Sequence, residues 1–467
     1  MSLGKACPSR GAVLSAGASL LAAALGLCAA GCGGRPPAYD NLVFVTIDTL
    51  RADHLGLYGY PRPTSPFLDQ LGREGVVFWQ AVAASSHTAP SHATMLTSLY
   101  PEQHQVLVNG NELRPDVPGL AALARDQGIE TAAFVSVRFL EKLRSGFDAM
   151  DADVPEGEVF RTADATVSRA VDWLGGRDRS RRFVLWVHVY DPHQHVASTR
   201  MPEPHYARMR EDAARRGDEL LHFLRQEQGY PREWVGESID RYDAQIAFVD
   251  EELRRLFAAV SESAPGGRTL RVVTADHGEG LGNHGHEGHG RNLYNEQLRT
   301  PLIVHGDRGR LRPAVVTRLV RHVDLLPTLG ELLGLGIADG LRLEGRSLVP
   351  LLEARTADLA VEPAFAQRRP ADRRRLRAGW DPGVKLAAQD GGHKYVYRSE
   401  GGDEFYDLRH DPYELRNLIG TEHPEKQRLR EWLLGKYQAL VEDRRTEAAA
   451  PDVDPRLLED LEALGYI

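Results

Sequence analysis

The feature that most constrains the fold is a set of short apolar segments, each followed directly by a polar or titratable residue. The clearest are residues 41–48, 131–136, 183–191 and 270–277. Because apolar residues occupy consecutive positions in them, these segments are typical of strands buried on both faces. Amphipathic segments between them, such as residues 242–260, indicate helices that cover such a sheet. The chain is therefore predicted to be an α/β protein with a large, mostly parallel sheet sandwiched by helices, to which residues 300–306 add a fifth strand.

Side chains suited to a functional site stand in or after four of these segments. They are Asp48, Ser136, His188, Asp191, His193, Asp276 and His277. The carboxyl ends of parallel strands meet at one edge of a sheet, where α/β proteins bind their ligands. A single aspartate there often only begins a turn, but four strands that each deliver a polar group to one edge favour a site. His188 lies inside its segment and is equally consistent with a buried core histidine.

A second feature is the stretch of residues 85–101, which is predicted to be a loop that turns into a helix. The Pro-Ser pair at residues 90–91 fits the first turn of that helix, with the serine as its cap. Thr88 then lies just before the helix N-terminus, where backbone N–H groups favour an anion or an alkoxide. With His87 and His92 nearby, the Thr88 hydroxyl is a candidate nucleophile. The alternative is an ordinary helix cap with surface histidines.

Metal-binding side chains recur among these residues. The set that suits one divalent cation (Mn²⁺, Ca²⁺, Mg²⁺ or Zn²⁺) consists of Asp48, Asp276 and His277. A threonine hydroxyl is a poor nucleophile at neutral pH, and a cation beside Thr88 would lower its pKa. The Gly-rich segment 276–290 also carries imidazoles that can meet an anionic group, on His284, His286 and His289. A flexible surface loop is the alternative for that segment.

All three cysteines lie within the first 32 residues, which excludes disulfides and thiol chemistry from the rest of the chain. Basic residues, an apolar stretch and small residues before Cys32 are typical of a lipoprotein signal peptide. We predict a signal peptide over residues 1–31, a lipidated Cys32 and a linker over residues 32–39. This predicts a lipid-anchored protein of the bacterial cell envelope, facing the periplasm or the cell surface. Plain secretion and an uncleaved anchor are the alternatives.

Composition and pattern divide the remaining chain into three parts. Residues 40–355 are predicted to be the catalytic domain, with a charged insertion over residues 201–237. Residues 356–445 are predicted to be a small C-terminal α+β subdomain, and residues 446–467 a tail. The subdomain is predicted to begin with an Arg- and Pro-rich loop at residues 360–378, followed by paired strands at residues 393–397 and 404–408 and a helix at residues 424–442. The net charge of −9 offers no electrostatic basis for binding nucleic acid.

Several motifs resemble the sulfatase family of the alkaline phosphatase superfamily. They are Asp-Thr-Leu-Arg-Ala-Asp-His-Leu-Gly at residues 48–56, Thr-Ala-Pro-Ser-His at residues 88–92 with Leu-Tyr-Pro at 99–101, Asp-Pro-His at 191–193 and Asp-His-Gly-Glu at 276–279. Residues 394–395, 406–408 and 411–418 resemble the small C-terminal subdomain of that family. The resemblance covers residues 41–442 with the motifs in the family's order. It implies the alkaline phosphatase-like fold.

The resemblance also implies roles for individual residues. The implied ligands of one divalent cation are Asp48, Thr88, Asp276 and His277. The residues implied to contact the transferred anion or the leaving group are Asn109, His193 and His289. A further catalytic candidate is His92, and the substrate-binding candidates are Ser136, His188 and His284.

The departures from the family pattern constrain the chemistry. Sulfatases carry a cysteine or serine, oxidised to formylglycine, at the position of Thr88. Oxidation of a threonine gives a ketone, so the aldehyde hydrate of the sulfatases cannot form here. His92 stands in place of the usual arginine, and Thr49 in place of a second aspartate. Relatives with a threonine nucleophile cleave or transfer phosphoesters and phosphonates.

The sequence therefore predicts a metal-dependent hydrolase with a threonine nucleophile. Its expected substrates are phosphodiesters or phosphonate esters, as a small molecule or as an anionic ester linked to a glycan or a lipid. The bacterial membrane is the expected partner through the lipid anchor. One alternative is a sulfuric ester hydrolase. The other is an inactive binding protein tethered to the surface, although such a protein would not need the complete set of metal ligands.

Overall fold

A computed structural model describes residues 37–194, 201–216, 231–264, 267–307, 311–337, 341–354, 362–368 and 383–443. An eight-stranded sheet forms its centre. The strands of this sheet are β1 (Asn41–Ile47), β2 (Val76–Val82), β3 (Glu130–Val135), β4 (Ala149–Asp151), β5 (Phe183–Val189), β6 (Thr269–Ala275), β9 (Arg299–Gly306) and β10 (Ala314–Arg321). They lie in the order β10-β2-β9-β6-β1-β5-β3-β4. The short strands β7 (Gly280–Leu281) and β8 (Glu287–Gly288) pair with each other outside it.

The predicted α/β sheet is confirmed, with one strand reversed. β1, β3, β5 and β6 follow the predicted segments and pair in parallel with one another. β9, predicted as one more strand of the mostly parallel sheet, instead runs antiparallel to both β2 and β6. β10 had no sequence signal, because it is an edge strand and most of its first five residues are exposed.

Helices cover both faces of the sheet. They are α1 (Pro66–Glu74), α2 (Thr88–Thr97), α3 (Pro101–His104), α4 (Leu120–Asp126), α5 (Ala163–Gly176), α6 (Glu203–Arg216), α7 (Arg232–Ser263), α8 (Asn295–Leu298), α9 (Leu325–Leu333), α10 (Val349–Leu352) and α11 (Pro424–Glu442). α7 begins ten residues before the predicted helix, so the end of the predicted insertion at residues 201–237 belongs to it. Met209 of α6 packs against α7.

Alternate residues of β1 point to opposite faces, as in any strand. Phe44 packs with Trp186 in a core that includes residues of α2, α4 and α9. Val43 and Val45 pack in a second core with residues of α1, α5 and α7. Each fully buried aliphatic side chain of this kind contributes on the order of 2 kcal/mol. Both faces of the sheet are covered by buried apolar side chains, and this burial fixes the strand register. The polar groups of a site are therefore expected at the ends of the strands.

The C-terminal subdomain is a four-stranded antiparallel sheet with one helix on it. Its strands are β11 (Ala364–Arg368), β12 (Lys385–Gln389), β13 (His393–Arg398) and β14 (Glu404–Asp407), in that order. α11 packs on this sheet through Leu429 and Leu433. The predicted pair of strands and the predicted helix are confirmed. The loop predicted at residues 360–378 is wrong over residues 364–368, which form β11 because Ala364 and Ala366 pack against the large sheet.

Two further predictions concern the chain termini. The predicted signal peptide, Cys32 and the tail at residues 446–467 lie outside the described residues. Within the described ranges, no helix is both long enough and apolar enough to cross a membrane. The predicted boundary between the catalytic domain and the subdomain stays a prediction, since residues from Pro37 onward form one compact unit by their contacts.

Candidate active site

The predicted edge of the sheet carries the predicted polar groups. Asp48 and Asp276 follow directly after β1 and β6, and Asp191 follows β5 after one residue; the three strands are adjacent and parallel. All three aspartates are buried. The α/β topology therefore brings residues that are more than 200 positions apart in sequence to one edge, as the sequence predicted.

The first residue of helix α2 lies at this edge of the sheet. Thr88 is the first residue of the helix and His87 is its cap. The predicted cap at Ser91 is wrong: Ser91 lies inside the first turn, where its hydroxyl donates to the carbonyl oxygen of Asp276 at 2.7 Å. The Thr88 hydroxyl hydrogen-bonds to Asp48, and its oxygen lies 3.4 Å from Nε2 of His277.

Two buried carboxylates face each other beside Thr88. Oδ1 of Asp48 and Oδ2 of Asp276 are buried and have no hydrogen-bond partner. Burial, together with the neighbouring carboxylate, raises the pKa of Asp48 well above its usual value, and burial also raises the pKa of Asp276. No lysine or arginine in the described ranges forms an ion pair with either group. Two such carboxylates, ionised together, need a cation between them.

His277 completes a set of three ligands. Its Nδ1 lies 3.0 Å from the carbonyl oxygen of Gly278, so Nδ1–H donates there and Nε2 keeps its lone pair. Burial lowers the pKa of His277 to about 3, which keeps the imidazole neutral. One ligand atom from each of Asp48, Asp276 and His277 lies within 4.8 Å of the others.

These three side chains fit the divalent cation implied by the resemblance. The unpartnered oxygens of Asp48 and Asp276 supply negative charge, and Nε2 of His277 supplies a neutral lone pair. The Thr88 hydroxyl borders the same three residues, as the predicted ligand set requires. The single imidazole suits Mn²⁺ or Zn²⁺, whereas the carboxylates and the Thr88 hydroxyl also suit Mg²⁺ or Ca²⁺, so the set as a whole does not select the ion.

The turn after β1 contains a strained residue that helps to orient one of the three ligands. Thr49 has a φ of 56°, a conformation that a β-branched residue rarely adopts. Its N–H donates to Oδ1 of Asp276 at 3.1 Å, and its carbonyl oxygen accepts from the hydroxyl of Tyr242 at 2.6 Å. The same Tyr242 oxygen accepts from the N–H of Arg51. Helix α7 thus holds Thr49 in the conformation that orients Asp276.

Imidazoles form one wall of the site. The ring of His289 lies 4.4 Å from that of His277 and 4.8 Å from that of His193. Nδ1 of His289 is 3.3 Å from Oε2 of Glu279, which fixes the orientation of the ring. Burial lowers the pKa of His289 to about 4. His87 packs against Gly290, and burial lowers its pKa to about 3.

Asn109 offers a neutral donor to the same site. Its Oδ1 accepts from the N–H of Ala89, which follows Thr88, at 2.8 Å. Its Nδ2 is buried and has no hydrogen-bond partner. A buried amide N–H₂ that lacks a partner is costly unless a ligand supplies an acceptor. This geometry is consistent with the predicted contact to an anion.

His92 does not fit the predicted catalytic role. Both of its ring nitrogens are in use, Nδ1 with the carbonyl oxygen of Thr88 at 2.8 Å and Nε2 with Oγ1 of Thr46 at 2.9 Å. The ring is fully buried and lies against Trp186 and His188. His92 therefore supports the backbone of Thr88 from inside the core.

Two of the predicted substrate-binding residues do not face a ligand either. The hydroxyl of Ser136 bonds to the carbonyl oxygen of His188 and to the hydroxyl of Thr166 inside the core. His284 stacks on Tyr294 and bonds to Oε1 of Glu296 at 3.0 Å. Its Nε2 also contacts the carbonyl oxygen of Glu414, so it ties the Gly-rich loop to the C-terminal subdomain.

The third, His188, lies behind the carboxylates. Its Nε2 is 3.3 Å from Oδ2 of Asp48, and its Nδ1 is buried without a partner. Burial lowers the pKa of His188 well below its usual value, so the neutral ring orients Asp48 by a hydrogen bond. This position fits a residue that positions a metal ligand better than one that binds substrate.

Three residues of the site had no predicted role. Glu279 orients His289, and His87 borders both His277 and His289. Nδ1 of His322 lies 3.1 Å from the hydroxyl of Ser91, beneath Asp276. Glu279 lies inside the motif at residues 276–279, and His87 directly precedes the motif at residues 88–92. Their positions could therefore have indicated that both belong to the site. His322 follows the unpredicted strand β10, and no local pattern marks it.

The sequence profile of the Sulfatase family matches residues 40–335. The chain belongs to the sulfatase family. It is similar to the multifunctional alkaline phosphatase superfamily protein PehA of Trinickia caryophylli, with 26% identity over 81% of this chain and 91% of that protein. It is also similar to the Delta 4,5-hexuronate-2-O-sulfatase of Bacteroides thetaiotaomicron, with 24% identity over 92% of this chain and 95% of the relative.

A solved structure agrees in fold. The phosphonate monoester hydrolase of Agrobacterium radiobacter superimposes on 88% of this sulfatase-family chain and on 96% of its own length. The TM-score is 0.66 at 22% sequence identity. The alkaline phosphatase-like fold predicted from the motifs is thereby confirmed, and family membership makes the chain an ester hydrolase of this family.

Proposed function

We propose that this hydrolase uses Thr88 as an unmodified nucleophile on a phosphodiester or phosphonate ester. The observation that carries the proposal is the Thr88 hydroxyl itself, which hydrogen-bonds to Asp48 and borders Asp276 and His277. A threonine cannot become formylglycine, so the hydroxyl must act directly. Thr88 also stands at the N-terminus of α2, where the helix dipole favours negative charge on the transferred group.

The residues that would hold a divalent cation are Asp48, Thr88, Asp276 and His277. When bound, such a cation lowers the pKa of a coordinated hydroxyl and polarises the non-bridging oxygens of the ester. The chain's own contribution is orientation: Thr49 and Ser91 fix Asp276, and His188 fixes Asp48. Because Asp48 and Asp276 would serve as ionised metal ligands, the proton of the Thr88 hydroxyl passes to water or to an oxygen of the bound ester.

The first chemical step is an in-line displacement at phosphorus. Oγ1 of Thr88 forms the new P–O bond while the bond to the leaving oxygen breaks. His289 and His193 are the candidates that protonate the leaving oxygen, since their rings lie in contact with each other and that of His289 lies next to His277. An anionic ester raises the pKa of an imidazole beside it, which turns a neutral ring into a proton donor. Water or an alcohol then attacks the phosphothreonine and releases Thr88.

Phosphorus is favoured over sulfur by two independent points. The absence of a formylglycine precursor at residue 88 removes the usual nucleophile of sulfate-ester hydrolysis. One similar structure is a phosphonate monoester hydrolase, and one similar protein is described as multifunctional. A sulfuric ester is the second candidate, because the Bacteroides thetaiotaomicron relative is a sulfatase of a uronate. A glycan-linked anionic ester fits either reaction.

We further propose that Cys32 carries a lipid and holds the catalytic domain at the bacterial cell envelope. The support is the leader sequence alone: basic residues, an apolar stretch and small residues before Cys32. Metabolic labelling with a palmitate analogue tests this. Wild-type chain should be labelled and Cys32→Ser should not; equal labelling of both would refute the anchor.

The function is tested with purified chain and four aryl esters: a phosphodiester, a phosphonate monoester, a phosphate monoester and a sulfate. Each is assayed with Mn²⁺, Zn²⁺, Ca²⁺ or Mg²⁺. We expect the diester or the phosphonate to be turned over fastest. Thr88→Ala should lower kcat/KM at least about 10³-fold, whereas Thr88→Ser should keep most of the activity because it keeps the hydroxyl.

The controls separate the alternatives. Thr421→Ala removes an exposed threonine hydroxyl of the C-terminal subdomain and should leave every rate unchanged. A sulfate ester that is turned over fastest would support the second candidate. Activity that survives Thr88→Ala would exclude the threonine nucleophile. No turnover of any ester with any metal would favour the binding protein.

A further inference from the structure

A second cluster of metal-binding side chains lies in the C-terminal subdomain, outside the active site. It joins the turn between β12 and β13 to the first turn of α11. Asp390 and His393 stand at the turn, and Glu425 stands in the first turn of the helix. One ligand atom from each of the three lies within 4.8 Å of the others. Nothing in the proposed reaction uses these residues.

His393 is the residue that indicates a ligand. Its side chain is only 7% exposed, yet its Nδ1 is buried and has no hydrogen-bond partner. The nearest carboxylate oxygen, Oδ1 of Asp390, is 3.8 Å from Nδ1, too far for a hydrogen bond. The ring is held in place by stacking on Phe405 and by contact with His423. A buried ring nitrogen without a partner is costly unless another group fills the gap.

The spacing of this pair suits a metal ion. A tetrahedral ion with bonds of 2.0 to 2.2 Å separates its ligand atoms by roughly 3.4 Å. The 3.8 Å between His393 and Asp390 is close to that value. Oδ1 of Asp390 is already oriented, because it accepts from the N–H groups of Gly392 and His393. Burial lowers the pKa of His393, so the imidazole is neutral, and in the Nε2–H tautomer Nδ1 carries the lone pair that a metal ion binds.

Arg428 is the competitor for these carboxylates. Its guanidinium bonds to Oδ2 of Asp390 and to Oε2 of Glu425. The Arg428 side chain is 48% exposed, and exposed ion pairs contribute little, typically about 0–1 kcal/mol each. Arg428 also leaves Nδ1 of His393 without a partner. The ion pairs therefore balance part of the acidic charge but do not account for the buried imidazole.

We propose that Asp390, His393 and Glu425 bind a transition-metal ion of the zinc class and thereby fasten the β12–β13 turn to helix α11. An imidazole ligand favours Zn²⁺ over Ca²⁺ or Mg²⁺, which prefer oxygen ligands alone. Three protein ligands leave a fourth position for water. The site joins two elements of the subdomain, so the ion stabilises the folded chain.

The test is a Zn²⁺ titration of the full-length chain against a chromophoric chelator. The background carries His277→Ala and Asp276→Asn, which removes two ligands of the active site. We expect one tight Zn²⁺ per chain in this background. Adding His393→Ala should weaken that binding at least about 100-fold, since it removes the only imidazole ligand. Failure of the Thr88 mechanism would not alter these results.

Matched variants keep the result interpretable. His410→Ala removes an exposed histidine of the same subdomain that also pairs with an aspartate, and it should not change the affinity. Arg428→Ala should raise the affinity about tenfold, because it frees both carboxylates. If His393→Ala fails to fold, Asp390→Asn and Glu425→Gln replace it. Absence of tight binding in the background, or equal affinity with and without His393, would overturn the proposal.

Discussion

Two buried groups of aspartates in this protein are neutralised in different ways. In the first, Asp243, Asp240 and Asp212 surround the guanidinium of Arg62. Arg62 is 1% exposed, and its Nη1 lies 2.7 Å from Oδ2 of Asp243. The side chain of Arg62 thus supplies the positive charge permanently. This cluster joins α6 and α7 to the segment before α1.

In the second group, Asp48 and Asp276 are equally buried, but their partners in the described ranges are neutral: imidazoles, a hydroxyl and backbone N–H groups. Their pKa values are raised, so ionising them at neutral pH destabilises the folded chain. The positive charge of Arg62 stabilises the first group of aspartates, whereas Asp48 and Asp276 have no such arginine among the described residues. This difference supports the proposal that a cation from solution occupies the edge of the sheet and that the metal-free chain is less stable without it.

The largest effect is expected from Asp276→Asn. Loss of this ligand should lower kcat/KM at least about 10³-fold and abolish tight metal binding at the active site. The metal-free variant should nevertheless be more stable than metal-free wild type, by about 1–2 kcal/mol, because a buried uncompensated carboxylate is gone. Urea denaturation of both chains with chelator present measures this.

A decrease in stability on Asp276→Asn would contradict the proposed difference between the two groups of aspartates. If metal-free Asp276→Asn is less stable than metal-free wild type, then Asp276 is already compensated within the chain. Thr317→Ala, a change in β10 far from this edge, serves as the control for folding. It should match wild type in both stability and rate.

Arg62→Met should give the next largest effect, with the opposite sign. Removal of the guanidinium takes the arginine partner away from Asp240 and Asp243, which costs about 3–5 kcal/mol. Asp212 keeps its ion pairs with Arg215 and Arg216. Metal binding at the active site should be unchanged, because the ion pairs of Arg62 are with Asp212, Asp240 and Asp243 and not with the proposed metal ligands. Thermal unfolding and a metal count together measure this. A variant as stable as wild type would show that the aspartates take up protons or water instead.

We expect a smaller effect on the stability of the folded chain from the loss of the proton of His284 as the pH rises. Burial favours its neutral form, but the carboxylate of Glu296 outweighs burial and raises the pKa of His284 to about 9. A raised pKa stabilises the folded state below pH 6.5, and this contribution is lost as the pH rises to 9. The loss should be about 2–3 kcal/mol.

Stability against urea between pH 6 and pH 9.5 measures the His284 contribution. His284→Gln should flatten the decline that the wild-type chain shows over this interval. Equal slopes for the two chains would show that the charge on His284 does not stabilise the fold. His410→Ala is the matched control, since His410 is 84% exposed in its side chain and pairs with Asp407 at the surface.

The polar residues at the sheet edge could be predicted from the sequence because short local patterns determine their positions. Each buried strand is a run of apolar residues, and the residue that follows it is fixed in place by the strand. Asp48, Asp191 and Asp276 could therefore be assigned to one edge from pattern alone. The Thr88 motif and the family resemblance then supplied the nucleophile.

The roles of single side chains depend on contacts that no local pattern encodes. His92 and Ser136 stand in site motifs, yet their polar atoms bond to Thr46 and Thr166, which lie 46 and 30 positions away. β9 looks like any buried strand, because direction is decided by the connections and not by composition. The partners of His284 and His322 come from distant segments, which only the folded chain brings together.

The smallest effect is expected from Ser136→Ala. Its hydroxyl bonds to Thr166 and to the carbonyl oxygen of His188, so its loss should destabilise the chain by about 1 kcal/mol and leave kcat/KM within about threefold of wild type. A substrate-binding serine would give the reverse pattern, a large rise in KM with little change in stability. Parallel measurement of unfolding and of KM distinguishes the two. If KM rises more than about tenfold, Ser136 faces the substrate after all, and the polar edge of the sheet extends one strand beyond the strands that precede Asp48, Asp191 and Asp276.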